Sequence, residues 1–175
     1  MKKPKKHLLD FRIDKLTNSI ENVISKDSFK TEILPVSLKE LKNITKTNGW
    51  RFNWTAEFKE PDRTVYKLVI VDNIKIIQGL ISLTPKPESV FMHLIETAPF
   101  NFGKNKLYLG VLGNLVAFAC RQSFLRGTDG FVSFRSKTNL IKHYQESLNA
   151  SHFGGHLMII NKETALTLIE KYFDQ

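Results

Sequence analysis

The segment Glu96-Thr97-Ala98-Pro99, followed after an intervening loop by Tyr108-Leu109-Gly110-Val111-Leu112-Gly113-Asn114-Leu115, decides how this chain is read. An apolar strand closes at Glu96 and an apolar helix opens at the glycine-bearing turn. A further strand then leads to a helix carrying His143-Tyr144, which closes at Ala150. A strand that turns through glycine into a helix leaves the first N–H groups of that helix unpaired. They sit at the positive end of the helix dipole, a setting that suits a diphosphate.

Downstream, strand and helix alternate. Leu112, Leu115, Val116 and Ala119 make one face of a helix that stops near Gly127, and Gly130 to Phe134 reads as a buried strand. Ser136 is placed to cap a helix with Leu140, Ile141, Tyr144 and Leu148 inward. A Gly154-Gly155 turn precedes a strand from His156 to Ile160, and Asn161 caps a last helix. Upstream, Thr64 to Val71, Ile74 to Leu83 and Val90 to Ala98 read as antiparallel strands joined by short turns. Alternation of Trp50, Phe52, Trp54, Ala56 and Phe58 with polar residues predicts a strand before them. Phe29 to Val36 is a short strand, and Ser37 caps a helix from Leu38 to Thr47. Leu8, Leu9, Phe11, Ile13, Leu16, Ile20, Val23 and Ile24 recur at roughly helical spacing and predict an early helix. The class is mixed α/β.

Composition sets the outer limits. At 175 residues, with 42% hydrophobic and 25% charged residues, one globular domain is expected, its first 28 residues a basic tail and the early helix. The lone Cys120 excludes an internal disulfide and fits a reducing cytoplasm. The apolar run after Met1 to Lys6 is broken at Asp10, Arg12 and Asp14, so neither a signal peptide nor a membrane span is expected. A net charge of +9 attracts nucleic acid, an anionic cofactor or an acidic partner without choosing among them. Part of it is the terminal run Lys2, Lys3, Lys5 and Lys6.

In this order the chain resembles the GNAT superfamily of acyl-CoA N-acyltransferases, over roughly residues 64 to 173. Three local matches carry the likeness: Phe91-Met92-His93-Leu94-Ile95-Glu96 followed by Pro99, Gly110 to Leu115 at a helix start, and Leu140 to Ala150 around Tyr144. The resemblance implies a central, largely antiparallel mixed sheet flanked by helices, with acetyl-CoA as co-substrate. It implies cofactor contacts from Leu94, Ile95, Lys106, Gly110, Val111, Leu112, Gly113, Asn114 and Asn139, and catalytic roles for Glu96 and Tyr144. The chain departs from the family pattern at Leu107, where Gln or Arg is usual, at Leu112, where a small residue is usual, and at Lys137, where Asn is usual.

The chemistry assigns those roles physically. A primary ammonium of pKa about 10.4 is neutral about once in 2,500 molecules at pH 7, roughly 4.6 kcal/mol of barrier unless a base helps. Glu96 at a strand end can take that proton directly or through water; a carboxylate facing water or a turn is the level alternative. Tyr144 can protonate the departing thiolate, or serve as a helix tyrosine with its ring in the core. A backbone N–H near Leu94 or Ile95 would meet the oxyanion. The two glycines equally suit a tight strand-to-helix turn. No metal is expected: His152 and His156 flank a Gly-Gly turn without nearby carboxylate or thiol ligands, and Cys120 reads as a packed small hydrophobe. The expectation is an acyltransferase acting on an amine of a small molecule, a protein or an aminoacyl-tRNA, as monomer or homodimer. A non-catalytic interaction module with this fold and a basic RNA-binding adaptor are the rivals.

Overall fold

The computed structural model describes residues 7–173; the basic run at Lys2 to Lys6 lies outside them. Its first strands are β1 (Ile20–Asn22), β2 (Ser28–Phe29) and β3 (Thr31–Pro35), followed by the short helices α1 (Leu38–Leu41) and α2 (Trp54–Phe58). Then come β4 (Thr64–Ile70), β5 (Gly79–Pro85), β6 (Val90–Thr97), β7 (Tyr108–Leu109) and the long helix α3 (Val111–Leu125). The chain closes with β8 (Val132–Arg135), α4 (Ile141–Leu148), the hairpin β9 (Ser151–His152) and β10 (Leu157–Ile160), and α5 (Lys162–Phe173).

The main sheet has seven strands in the order β3-β4-β5-β6-β8-β10-β9. Every neighbouring pair is antiparallel except β6 and β8, which run parallel and are joined through α3. Tyr66 of β4 meets the Phe118 ring of α3, while its neighbour Lys67 pairs with Glu40 of α1. Successive strand residues point to opposite faces, so α3 and α1 cover opposite faces of the sheet. Helix α5 lies along α3. Among the described residues no helix is long and apolar enough to cross a membrane.

Two predicted elements take another form. The segment read as a strand from Trp50 to Phe58 contains α2 instead. Asn53 caps that helix by accepting the Ala56 N–H at 3.0 Å, and Trp54 and Glu57, three apart, are its buried residues. The alternation predicts a strand, and the Asn53 cap with burial of Trp54 and Glu57 overrides it. The early helix is absent as well. Residues 7–19 form no helix: they have no regular structure beyond one parallel bridge from Leu9 to Ser136, they bend at Asn18–Ser19, and β1 pairs with β2 and β7 in a separate three-stranded sheet. Leu9 and Phe11 are buried while Leu8 is 37% and Ile24 89% exposed, which a helix stripe would not produce. Burial of Phe11 alone contributes about 1.5–3 kcal/mol to seating this segment.

Smaller shifts follow local chemistry. Ser37 caps α1 through a reciprocal capping box with Glu40, but the helix stops at Leu41. Asn73 donates its N–H to the Ile70 carbonyl at 2.8 Å, holding a turn that delays β5 to Gly79. Ser136 donates to the Lys137 carbonyl and does not cap α4. Asn161 does cap α5, accepting the Thr164 N–H at 3.0 Å.

Candidate active site

Strand β6 carries the first feature of the site. Ser82 of β5 opposes Leu94, but the next residue, Leu83, opposes Met92, so His93 is an extra residue in a β-bulge. Beyond the bulge Leu94, Ile95 and Glu96 are all buried in succession. Pairing of β6 with β8 is limited to Val90–Met92 against Val132–Phe134, and the two strands go separate ways towards their carboxyl ends. A crevice outside the carboxyl ends of parallel strands is where α/β sheets accept ligands. Here it opens into a cavity of about 690 Å³.

Glu96 stands in the wall of that cavity. One carboxylate oxygen accepts the Arg51 backbone N–H at 2.6 Å and the other accepts the Trp54 indole N–H at 2.6 Å. Burial raises its pKa above the ordinary carboxylate range, and the N–H donors of Trp54, Arg51 and Phe52 offset only part of that rise. A carboxylate tuned upward is a better proton acceptor near neutrality than a free one. Trp54 and Arg51 went unrecognised in the sequence because they lie 42 and 45 residues from Glu96.

The remaining predicted residues divide. Ile95, Lys106, Leu112 and Asn139 line the cavity with Glu96. Leu94 and Val111 are buried beside it, 1% and 2% exposed. Gly110 is the N-cap of α3 at φ 88°, and a Cβ there would stand 1.9 Å from the Thr17 hydroxyl oxygen. Gly113 faces α5, where a Cβ would meet the Tyr172 hydroxyl oxygen at 1.9 Å. Asn114 is fully buried and donates to the Thr31 hydroxyl at 2.9 Å. Packing therefore accounts for small residues at both glycine positions. Tyr144 is fully buried, its pKa pushed up by burial, and its hydroxyl donates to the Phe11 carbonyl at 2.7 Å.

The cavity wall mixes charges: Arg12, Arg51, Lys106 and Lys137 against Asp10, Asp14 and Glu96. Asp10 pairs with Lys137 at 2.7 Å and Arg51 at 3.3 Å. Partial burial raises its carboxyl, and Lys137 and Arg51 more than reverse that, leaving it below the usual range. Away from the cavity, Glu57 accepts both 2.8 Å bonds from Arg63 and lies 3.6 Å from His7. His93 bonds Thr84 at 2.7 Å, and burial followed by Arg63 lowers its pKa to about 4. Among the described residues no group of three or more His, Cys, Asp and Glu side chains is arranged to hold a metal ion. His152 and His156 are bonded to the Gly155 and Ser136 carbonyls, and Cys120 is buried.

Neither a family model nor a curated protein matches the sequence. Solved structures do match the fold. A chimera of the Vibrio cholerae spermidine N-acetyltransferase SpeG and hSSAT superposes with a TM-score of 0.55 at 15% identity, covering 79% of this chain and 99% of that one. The chain carries the GNAT fold. The Vibrio cholerae spermidine N-acetyltransferase in complex with CoA and spermine superposes with a TM-score of 0.51 at 14% identity, over 78% of this chain and 98% of its own. In this chain the bulged strand, the parallel pair and the crossover helix form one unit, and residues 9–14 lie against it.

Proposed function

We propose that this chain is an acyl-CoA-dependent N-acyltransferase that moves an acetyl group from acetyl-CoA to a primary amine. The observation that carries this reading is the cavity at the diverging β6–β8 pair, with the upward-shifted Glu96 carboxylate in its wall and the start of α3 at its rim. The CoA diphosphate lies against the first-turn amides of α3 from Val111 to Gly113, with Lys106 beside them; the Asn114 N–H, expected to join them, donates to the Gly110 carbonyl at 3.0 Å instead. Glu96 accepts the ammonium proton, Tyr144 returns a proton to the thiolate, and a backbone N–H of Leu94 or Ile95 holds the oxyanion. Calorimetry with acetyl-CoA, then thiol release across a panel of amines, tests the reading. Absence of acetyl-CoA binding at millimolar concentration, in the wild-type chain and in variants of residues 9–17 alike, refutes it. Glu96→Gln should lower turnover by about 10²- to 10⁴-fold near neutrality, with the loss shrinking as pH nears the amine's own pKa.

One observation favours a second reading, a non-catalytic module. The Gly110 N–H and the Tyr144 O–H are already bonded to the chain's own Asp14 and Phe11. A protein that binds acyl-CoA yet releases no thiol with any amine would support it.

A further inference from the structure

The leading segment touches each part of the proposed cofactor site. Leu9 donates its N–H to the Arg135 carbonyl at 2.7 Å and accepts the Lys137 N–H at 3.0 Å, so it extends the sheet beside the end of β8. Phe11 stacks on the Tyr144 ring at 4.5 Å and takes the Tyr144 hydroxyl on its carbonyl. Ile13 donates its N–H to His143 Nε2 at 2.9 Å. Asp14 then reaches the start of α3, where one oxygen accepts the Gly110 N–H at 3.1 Å and the other pairs with Lys106 at 3.0 Å. Thr17 fills the space that a side chain on Gly110 would need.

The order of groups along this segment is informative. Acyl-CoA presents a diphosphate followed by an extended arm containing two amides. Residues 9–17 present a carboxylate at the helix N-terminus followed by extended peptide, running from α3 past Tyr144 to the β8 end. A carboxylate is favoured at a helix N-terminus for the same electrostatic reason as a phosphate.

We propose that residues 9–17 are an internal occupant of the acyl-CoA cleft, and that acyl-CoA binds by displacing them; this rests on the acyltransferase reading above. The bound strap lowers apparent affinity by the fraction of molecules in which it is released. A strap released in about one molecule in a hundred weakens binding about a hundredfold. Loosening it recovers that factor. On displacement Asp10 leaves Arg51 and Lys137, and the Tyr144 hydroxyl is freed from the Phe11 carbonyl.

The test compares the full-length wild-type chain with Phe11→Ala and Asp14→Asn, two changes that loosen the strap by different chemistry. Calorimetry with acetyl-CoA gives the affinities, and hydrogen exchange of the segment containing the Leu9 and Ile13 amides reports whether the strap has left. Faster exchange of this segment on adding acetyl-CoA, with either variant binding about tenfold or more tightly than wild type, is expected. Binding by the variants alone also supports displacement. Acetyl-CoA binding to wild type with unchanged or slower exchange of residues 9–17 overturns the proposal and leaves the acyltransferase reading standing. If none of the three proteins binds acetyl-CoA, both fall together, since no ligand then competes with the strap.

Discussion

Trp54→Phe isolates one interaction in the candidate site. It keeps an aromatic ring in the fully buried Trp54 position and removes the indole N–H that lies 2.6 Å from Glu96. The Arg51 N–H remains on the other oxygen. A hydrogen bond to a charged group contributes about 1.5–3 kcal/mol, and 1.36 kcal/mol corresponds to about one pKa unit. The already raised Glu96 pKa should therefore rise by roughly one to two units more. Carbon-13 NMR of the glutamate carboxyls in both proteins measures this directly, without any acceptor. Stability should follow with a definite sign. Because the folded chain keeps a proton that the unfolded chain releases near the ordinary value of 4.5, stability falls as pH rises from there through the folded pKa. The variant should extend that fall to higher pH, and the acid limb of the pH–rate profile should move the same way. A Glu96 pKa that stays put or drops refutes the claim that the indole holds its charged form.

Gly110→Ala should cost about 1–3 kcal/mol, since α3 needs a positive φ there, and calorimetry should show Tm lower by roughly 2–12 °C. Glu57, pushed up by burial but held at about 2 by His7, Ser82 and Arg63, stabilises the fold above its ordinary 4.5 and loses that contribution as pH falls towards 2. The loss should reach about 3 kcal/mol, and Glu57→Gln should flatten it in urea titrations run between those pH values. Tyr144→Phe should lower kcat by roughly 10²- to 10⁴-fold without raising KM for acetyl-CoA, because the hydroxyl it removes also tethers Phe11. Unchanged kcat at saturating substrate would reject the general-acid role.

What the sequence disclosed tracks how local each signal is. The meander from β4 to β6 and the run from α3 through β8 to α4 were legible because their periods and turns lie within a few residues. The bulge at His93 left no local mark, since it is defined only against Ser82 and Leu83 across the ladder. Residues Leu8 to Ile24 misled because an amphipathic spacing says nothing about partners such as His143, 130 positions from Ile13. Glu96 was legible as a strand-end carboxylate, but its clamp between Trp54 and Arg51 depended on a helix read as a strand. Gly110 and Gly113 both read as glycines of a strand-to-helix turn, which holds for Gly110; Gly113 lies inside α3, and only packing reveals Thr17 and Tyr172 as what the two make room for.

The strap also sets an order of events during synthesis. Its partners Arg135, His143 and Tyr144 belong to the second half of the chain, and Lys15 accepts from Tyr172 across 157 positions. At 5–20 residues per second a ribosome needs on the order of 10–30 s to travel from Thr17 to Tyr172. Leu9 and Phe11 lack their partners until residues 135–144 have been made, Lys15 lacks its own until Tyr172, and contacts of such long range close slowly once they can form. The nascent protein therefore passes through a form whose sheet can assemble before its leading end has anywhere to bind. On this order the segment of residues 9–17 is the last part of the fold to be seated.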